Sequence, residues 1–231
     1  MLQALAEDLW IADAPLRFLG LEVGARMTVV RLADGHLLLH SPVAADGDLV
    51  AAVAELGAVA YLVAPNRLHH LFVGDWKRAF PDAEIHVAPG LDTKRSDLAI
   101  SAVLGEEPCS GWRDDLDQTV VGGFPFANEV VFFHPASATL IATDLAFNFG
   151  DDSPPLTRLV TRLAGTYGEL APSLLERALI RDRARYRKSL ERILEWPFER
   201  VVVAHGAVCE HGGRDELLRG YAWIFEDGNA R

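Results

Sequence analysis

The sequence predicts a layered α/β sandwich in which helices cover the faces of β-sheets, and three observations carry that expectation. Turn signals at Asp34-Gly35 and at Pro135-Ala136-Ser137-Ala138 join apolar runs into antiparallel hairpins near the start and in the middle of the chain. Segments with helical spacing are interleaved with those runs. Three runs (61–64, 139–143 and 201–204) each stop at residues able to bind a metal, namely Asn66 with His69-His70, Asp144, and His205. Sites in α/β proteins sit just past the C-terminal ends of buried strands.

Residues 9–12, 28–32 and 37–40 read as strands, the last two joined at Asp34-Gly35. Leu49, Val50, Val53 and Leu56 give 48–56 a helical face that stops at Gly57. A strand follows at 58–64. A helix is expected at 71–80, ended by Pro81, and a short strand at 84–88. Residues 91–122 carry no clear period. Strands at 129–133 and 139–143 flank the second turn. A helix at 156–163 starts after Pro154-Pro155. Leu175, Leu179, Tyr186, Leu190, Ile193 and Leu194 line one side of a single long helix expected over 173–196. The strand 201–204 and a closing helix at 214–225 complete the chain. With no linker or repeat in view, residues 1–231 read as one domain.

Composition narrows the function. The 231 residues are 50% hydrophobic, enough for a real core, and the net charge is −11. Such a chain repels phosphate backbones, so nucleic acid is not an expected partner. The arginines between 177 and 192 alternate with Glu176, Asp182 and Glu191 and read as a solvated helix face. Cys109 and Cys209 form no pair pattern, which suits a reducing compartment. No apolar stretch approaches the ~18 residues of a membrane span, and the first ten residues do not resemble a signal peptide. The expectation is a cytoplasmic protein with a small-molecule substrate and no membrane partner; a homodimer stays open.

Candidate chemistry starts from the second hairpin. Pairing about 135–138 sets His134 opposite Thr139 and Glu129 opposite Asp144. Glu129 thereby joins the candidates. His134 falls at the far end, roughly 15 Å away at strand rise, and reads as a surface residue. His69 and His70, just past a buried strand, can converge on an ion from a loop or helix start. Asp144 either caps a turn or holds a cation. His205 precedes Gly206, which permits a close backbone approach. The spacing of His205, Cys209 and His211 fits no common zinc pattern. Lys94 lies in a charged loop read as solvated. Neither a nucleophile elbow nor a phosphate-binding glycine loop is present.

The order of these elements, with Ala64-Pro65-Asn66, His69-His70, Asp144 and Val203-Ala204-His205-Gly206, resembles the metallo-β-lactamase superfamily over essentially the whole chain. Segments such as Arg26-Met27-Thr28, His40-Ser41-Pro42, Pro89-Gly90-Leu91 and Phe132-Phe133-His134 resemble one uncharacterised branch of it. The resemblance implies a four-layer αββα sandwich with one or two metal ions, often zinc, at one sheet edge. It matches Asp144 to the bridging Asp and His205 to the last His. Of the His-x-His-x-Asp-His motif only His69-His70 remains, and the register between them is open. The acidic residue after the first hairpin is replaced by His40-Ser41, and 124–129 lacks the third His. A full dinuclear site needs about five or six ligands. What remains implies at most one divalent ion, zinc foremost, held by His69 or His70, Asp144 and His205, with Glu129 as an addition and hydrolysis as the chemistry. Asp144 and His205 are the residues expected to matter for catalysis. The alternative is a metal-free relic that binds a small molecule or a protein through exposed Trp76, Trp112 and 124–126.

Overall fold

The computed structural model describes residues 1–226. The chain opens with β1 (Leu2–Ala6) and β2 (Leu9–Ala14), then a small ribbon of β3 (Arg17–Phe18) and β4 (Leu21–Glu22). Strands β5 (Ala25–Arg31) and β6 (Leu37–His40) follow, then α1 (Gly47–Leu56), β7 (Val59–Ala64), α2 (Val73–Ala79), β8 (Glu84–Val87), α3 (Leu91–Lys94) and β9 (Ala102–Val103). The second half holds β10 (Asp117–Val120), β11 (Val130–His134), β12 (Thr139–Ile141), α4 (Pro155–Ala164), α5 (Leu174–Leu179), α6 (Arg183–Ile193), β13 (Arg200–Val202), α7 (Gly213–Gly220) and α8 (Ala222–Glu226).

Two main sheets result. The larger has the order β1-β2-β5-β6-β7-β8-β9 and the smaller β10-β11-β12-β13. Strands that feed directly through tight turns pair antiparallel, as β5 with β6 and β11 with β12. Those reached through a helix pair parallel, as β6 with β7, β7 with β8, and β12 with β13. Period-two alternation assigns each face. On β6, Leu37 and Leu39 pack toward α1 and α2 with Leu49, Val53 and Trp76. Leu38 turns the other way, into the space between the sheets with Val63, Phe132 and Ile141. On β11, Val130 and Phe132 face that space, while Val131 and Phe133 pack against Tyr186, Leu190, Ile193 and Leu217. The layers therefore run helix, sheet, sheet, helix, as the resemblance implied.

Several expectations need correction. The helix expected over 173–196 is two helices. Ile180 is extended, and Asp182 caps α6 by accepting from the backbone N–H of Arg185. The break is imposed from outside: the Gly123 carbonyl accepts from the N–H groups of both Arg181 and Asp182. Gly123 has φ +80°, and a Cβ there would sit 2.1 Å from the Asp182 carbonyl oxygen, so only glycine allows this clasp. The closing helix likewise breaks at Tyr221. Strand β1, on the edge of the larger sheet, was not expected. His134 is buried rather than at the surface, with Nδ1 2.7 Å from the Ser137 hydroxyl. Trp76, Trp112 and Phe124 are also buried, so of the aromatics invoked for a binding surface only Phe126 is substantially exposed. Among the described residues, no helix is long and apolar enough to cross a membrane.

Candidate metal centre

The three strand ends meet at one edge of the sandwich. His69 follows β7 of the larger sheet, whereas Asp144 and His205 follow the neighbouring strands β12 and β13 of the smaller one. Asp144 Oδ1 lies 3.4 Å from His69 Nε2 and 3.6 Å from His205 Nε2. The three ligand atoms all fall within 4.8 Å of one another. Tetrahedral zinc with bond lengths near 2.0–2.1 Å sets its ligand atoms about 3.3 Å apart, close to the two separations at Asp144 Oδ1. The group is a candidate metal site of three residues, two of them imidazoles.

The outer contacts of each side chain explain why the donor atoms point inward. His205 Nδ1 donates to the Gly24 carbonyl at 2.8 Å, which places its proton on Nδ1 and leaves the Nε2 lone pair facing Asp144. His69 Nδ1 is 2.8 Å from the Ser41 hydroxyl. Ser41 sits in the left-handed region at φ +54°, just past the end of β6, and its own N–H donates to the Val63 carbonyl. Asn66 Nδ2 donates to Asp144 Oδ2 at 2.7 Å and to Thr143 Oγ1 at 2.8 Å. Asn66 Oδ1 accepts from the N–H groups of Leu68 and His69, so one amide sets both the turn after β7 and the angle of the carboxylate. Phe147 stacks on the His205 ring with centroids 5.7 Å apart.

Not every candidate joins the group. His70 turns away: its Nδ1 lies 2.9 Å from an Arg95 guanidinium nitrogen. Burial, with Lys94 and Arg95 beside it, pushes His70 down to about 4. Adjacent residues on this turn point to opposite sides, and the structure gives the inward side to His69. Lys94 donates to the Arg67 carbonyl. Glu129 is buried beside Asp144, but its carboxylate oxygens accept from the backbone N–H groups of Thr143 (2.6 Å) and Asp144 (2.9 Å). It holds the turn that carries Asp144 and is not one of the three residues whose donor atoms converge.

Charge follows from this packing. Burial works against the Asp144 anion, but the imidazoles of His69 and His205 and the Asn66 amide outweigh it and hold its pKa low. Burial likewise opposes a charge on His69, yet the Asp144 carboxylate raises its pKa. His205 goes the other way, lowered by burial and then by His69. Burial and the Asp144 charge raise Glu129. On α5, burial and the Asp144 charge push Glu176 up to about 9, while its carboxylate caps the Ser173 N–H. His205 thus offers a neutral ligand nitrogen at ordinary pH, and Asp144 an ionised oxygen.

A family described as a domain of unknown function, DUF4336, matches residues 6–166. The chain belongs to the DUF4336 family. No curated protein matches this DUF4336 chain. Solved structures do. A metallo-β-lactamase from Pontibacter korlensis superposes with a TM-score of 0.67 at 13% identity, covering 97% of this chain and 98% of that one. The metallo-β-lactamase FIM-1 from Pseudomonas aeruginosa, in its mono-zinc form, gives 0.64 at 13%, with 100% and 96% covered. A metal-soaked Flv1 flavodiiron core from Synechocystis sp. PCC6803 gives 0.68 at 13%, covering all of this chain and 62% of that one. The DUF4336 chain therefore has the metallo-β-lactamase fold.

Ser41, Gly24 and Phe147 were not among the residues singled out from sequence as parts of the centre. The only trace of Ser41 was its place at the acidic position after the first hairpin. A backbone carbonyl such as that of Gly24 leaves no trace in side-chain identity.

Proposed function

We propose that His69, Asp144 and His205 hold a single divalent cation and that the protein is a metal-dependent hydrolase. The observation that carries this reading is the convergence of two imidazole nitrogens on one carboxylate oxygen, each side chain braced from behind. Imidazole and carboxylate donors suit zinc, and three protein ligands leave a position open, as in catalytic rather than structural sites. A cation there supplies Lewis-acid polarisation and a bound water acidic enough to ionise near neutral pH. The chain's own part is to fix the donors: Ser41 and Gly24 orient the imidazoles, and Asn66 with Glu129 aims the carboxylate. Burial keeps the site's dielectric low, which strengthens each of these interactions. FIM-1, similar in fold, exists in a mono-zinc form, which supports one ion as a workable occupancy.

Elemental analysis of protein purified without added metal, followed by zinc titration, tests the reading. About one equivalent is expected, falling below about 0.1 in Asp144→Ala and His205→Ala. Wild-type protein at that low level, with no uptake on titration, would overturn it. A broad screen of ester, amide and thioester substrates should give activity that the same two substitutions abolish. The substrate itself is a matter for that screen.

A further inference from the structure

We propose that the face made by the tip of the β3–β4 ribbon, α4 and the start of α5 docks against a second copy of this chain. The proposal stands apart from the metal centre. Helix α4 is built inside out. Its buried residues are Thr157 and Thr161, while Leu156, Leu159 and Leu163 face solvent, Leu163 with 74% of its surface exposed. A surface helix normally does the reverse. The leucines at i, i+3 and i+7 make a continuous apolar stripe.

The stripe extends on both sides. Thr157 donates its hydroxyl hydrogen to the Glu22 carbonyl, tying α4 to the ribbon whose tip carries exposed Phe18 and Leu19. At the other end Gly165 lies against Leu174, and Leu174 and Leu175 are both more than half exposed. These seven side chains present on the order of 700 Å² of apolar surface, close to the roughly 800 Å² each partner contributes to a stable interface. Monomers rarely leave so large a patch uncovered.

A second copy fits better than a bilayer. Charges of both signs border the patch, with Arg17 paired to Glu22 and Arg158 to Asp151; the chain carries −11 overall, which is unfavourable at an anionic lipid surface. A short helix with leucines at both ends and the middle is self-complementary about a two-fold axis. Antiparallel packing of two α4 helices sets Leu156 against Leu163 of the partner subunit, with Leu159 near the axis.

Sedimentation velocity on the full chain at tens of micromolar tests this. The wild type should run at twice its 25.3 kDa mass. Leu159→Glu combined with Leu163→Glu should run as a monomer, with the circular-dichroism spectrum and thermal midpoint of the wild type, since both side chains are exposed. Leu175→Glu, on a different helix, should weaken the dimer in the same direction. A monomeric wild type, or a dimer that survives both variants, overturns the proposal. So does a monomer that co-sediments with neutral phosphatidylcholine vesicles, which would assign the patch to lipid.

Discussion

Single atoms decide how firmly the centre is held. Ser41→Ala leaves His69 Nδ1 without its hydroxyl partner while Nε2 keeps its position near Asp144. Loss of such an outer contact typically costs 10–100-fold in metal affinity, so zinc titration of Ser41→Ala should show a drop of about that size, with Ser41→Thr restoring much of it. His40, next in the chain, makes a different prediction. Its ring is buried edge-on against Phe132, and its Nε2 has no hydrogen-bond partner. Burial, with His69 nearby, pushes its pKa down to about 3 from an ordinary 6.5. A folded-state value below the unfolded one means the unfolded chain binds the proton more readily. The stability owed to neutral His40 is therefore complete above pH 6.5 and is lost as pH falls toward 3, at about 1.4 kcal/mol per pH unit. Urea denaturation between pH 7 and 4.5 should show that slope in the wild type relative to His40→Leu; equal slopes would mean His40 ionises without penalty.

At the level of elements, the turn after β12 depends on Glu129. Glu129→Ala leaves the buried N–H groups of Thr143 and Asp144 without acceptors, and each such loss costs about 1–3 kcal/mol. A thermal midpoint lowered by several degrees, together with weaker zinc binding, is expected. Gly206 supports the turn after β13 in another way. At φ +91° a Cβ would come 2.1 Å from the Asn148 carbonyl oxygen, so Gly206→Ala should displace the adjacent His205 and weaken metal binding more than it changes secondary structure. These turns also show what was legible in the sequence. A short loop fixes pairing, and His134 does lie opposite Thr139 and Phe133 opposite Leu140. The three strand ends were legible because apolar runs closed by polar residues are local patterns. The break between α5 and α6 was not, because Gly123 imposes it from far along the chain. The choice of His69 over His70 as the inward residue was also hidden, since it depends on Arg95 and Ser41 reaching in from other elements.

The whole molecule depends on how its two sheets are joined. Arg26 on β5 donates to the carbonyls of Val203 and Gly206 beyond β13, and its Nε pairs with Asp13. Arg26→Met should strand those acceptors and lower stability by about 2–4 kcal/mol, read from the urea midpoint. The candidate centre spans the same seam, because His69 comes from one sheet and Asp144 and His205 from the other. His69 and Asp144 are 75 positions apart in sequence. An ion bound between them, as proposed, would close a long chain loop in the manner of a covalent staple, and only when both layers are docked. By mass action, ligand at 100 times its dissociation constant adds about 2.7 kcal/mol to the folded state. Chelator should therefore lower the melting temperature of the wild type and leave Asp144→Ala unmoved, which makes heat resistance itself a gauge of occupancy when no substrate is at hand.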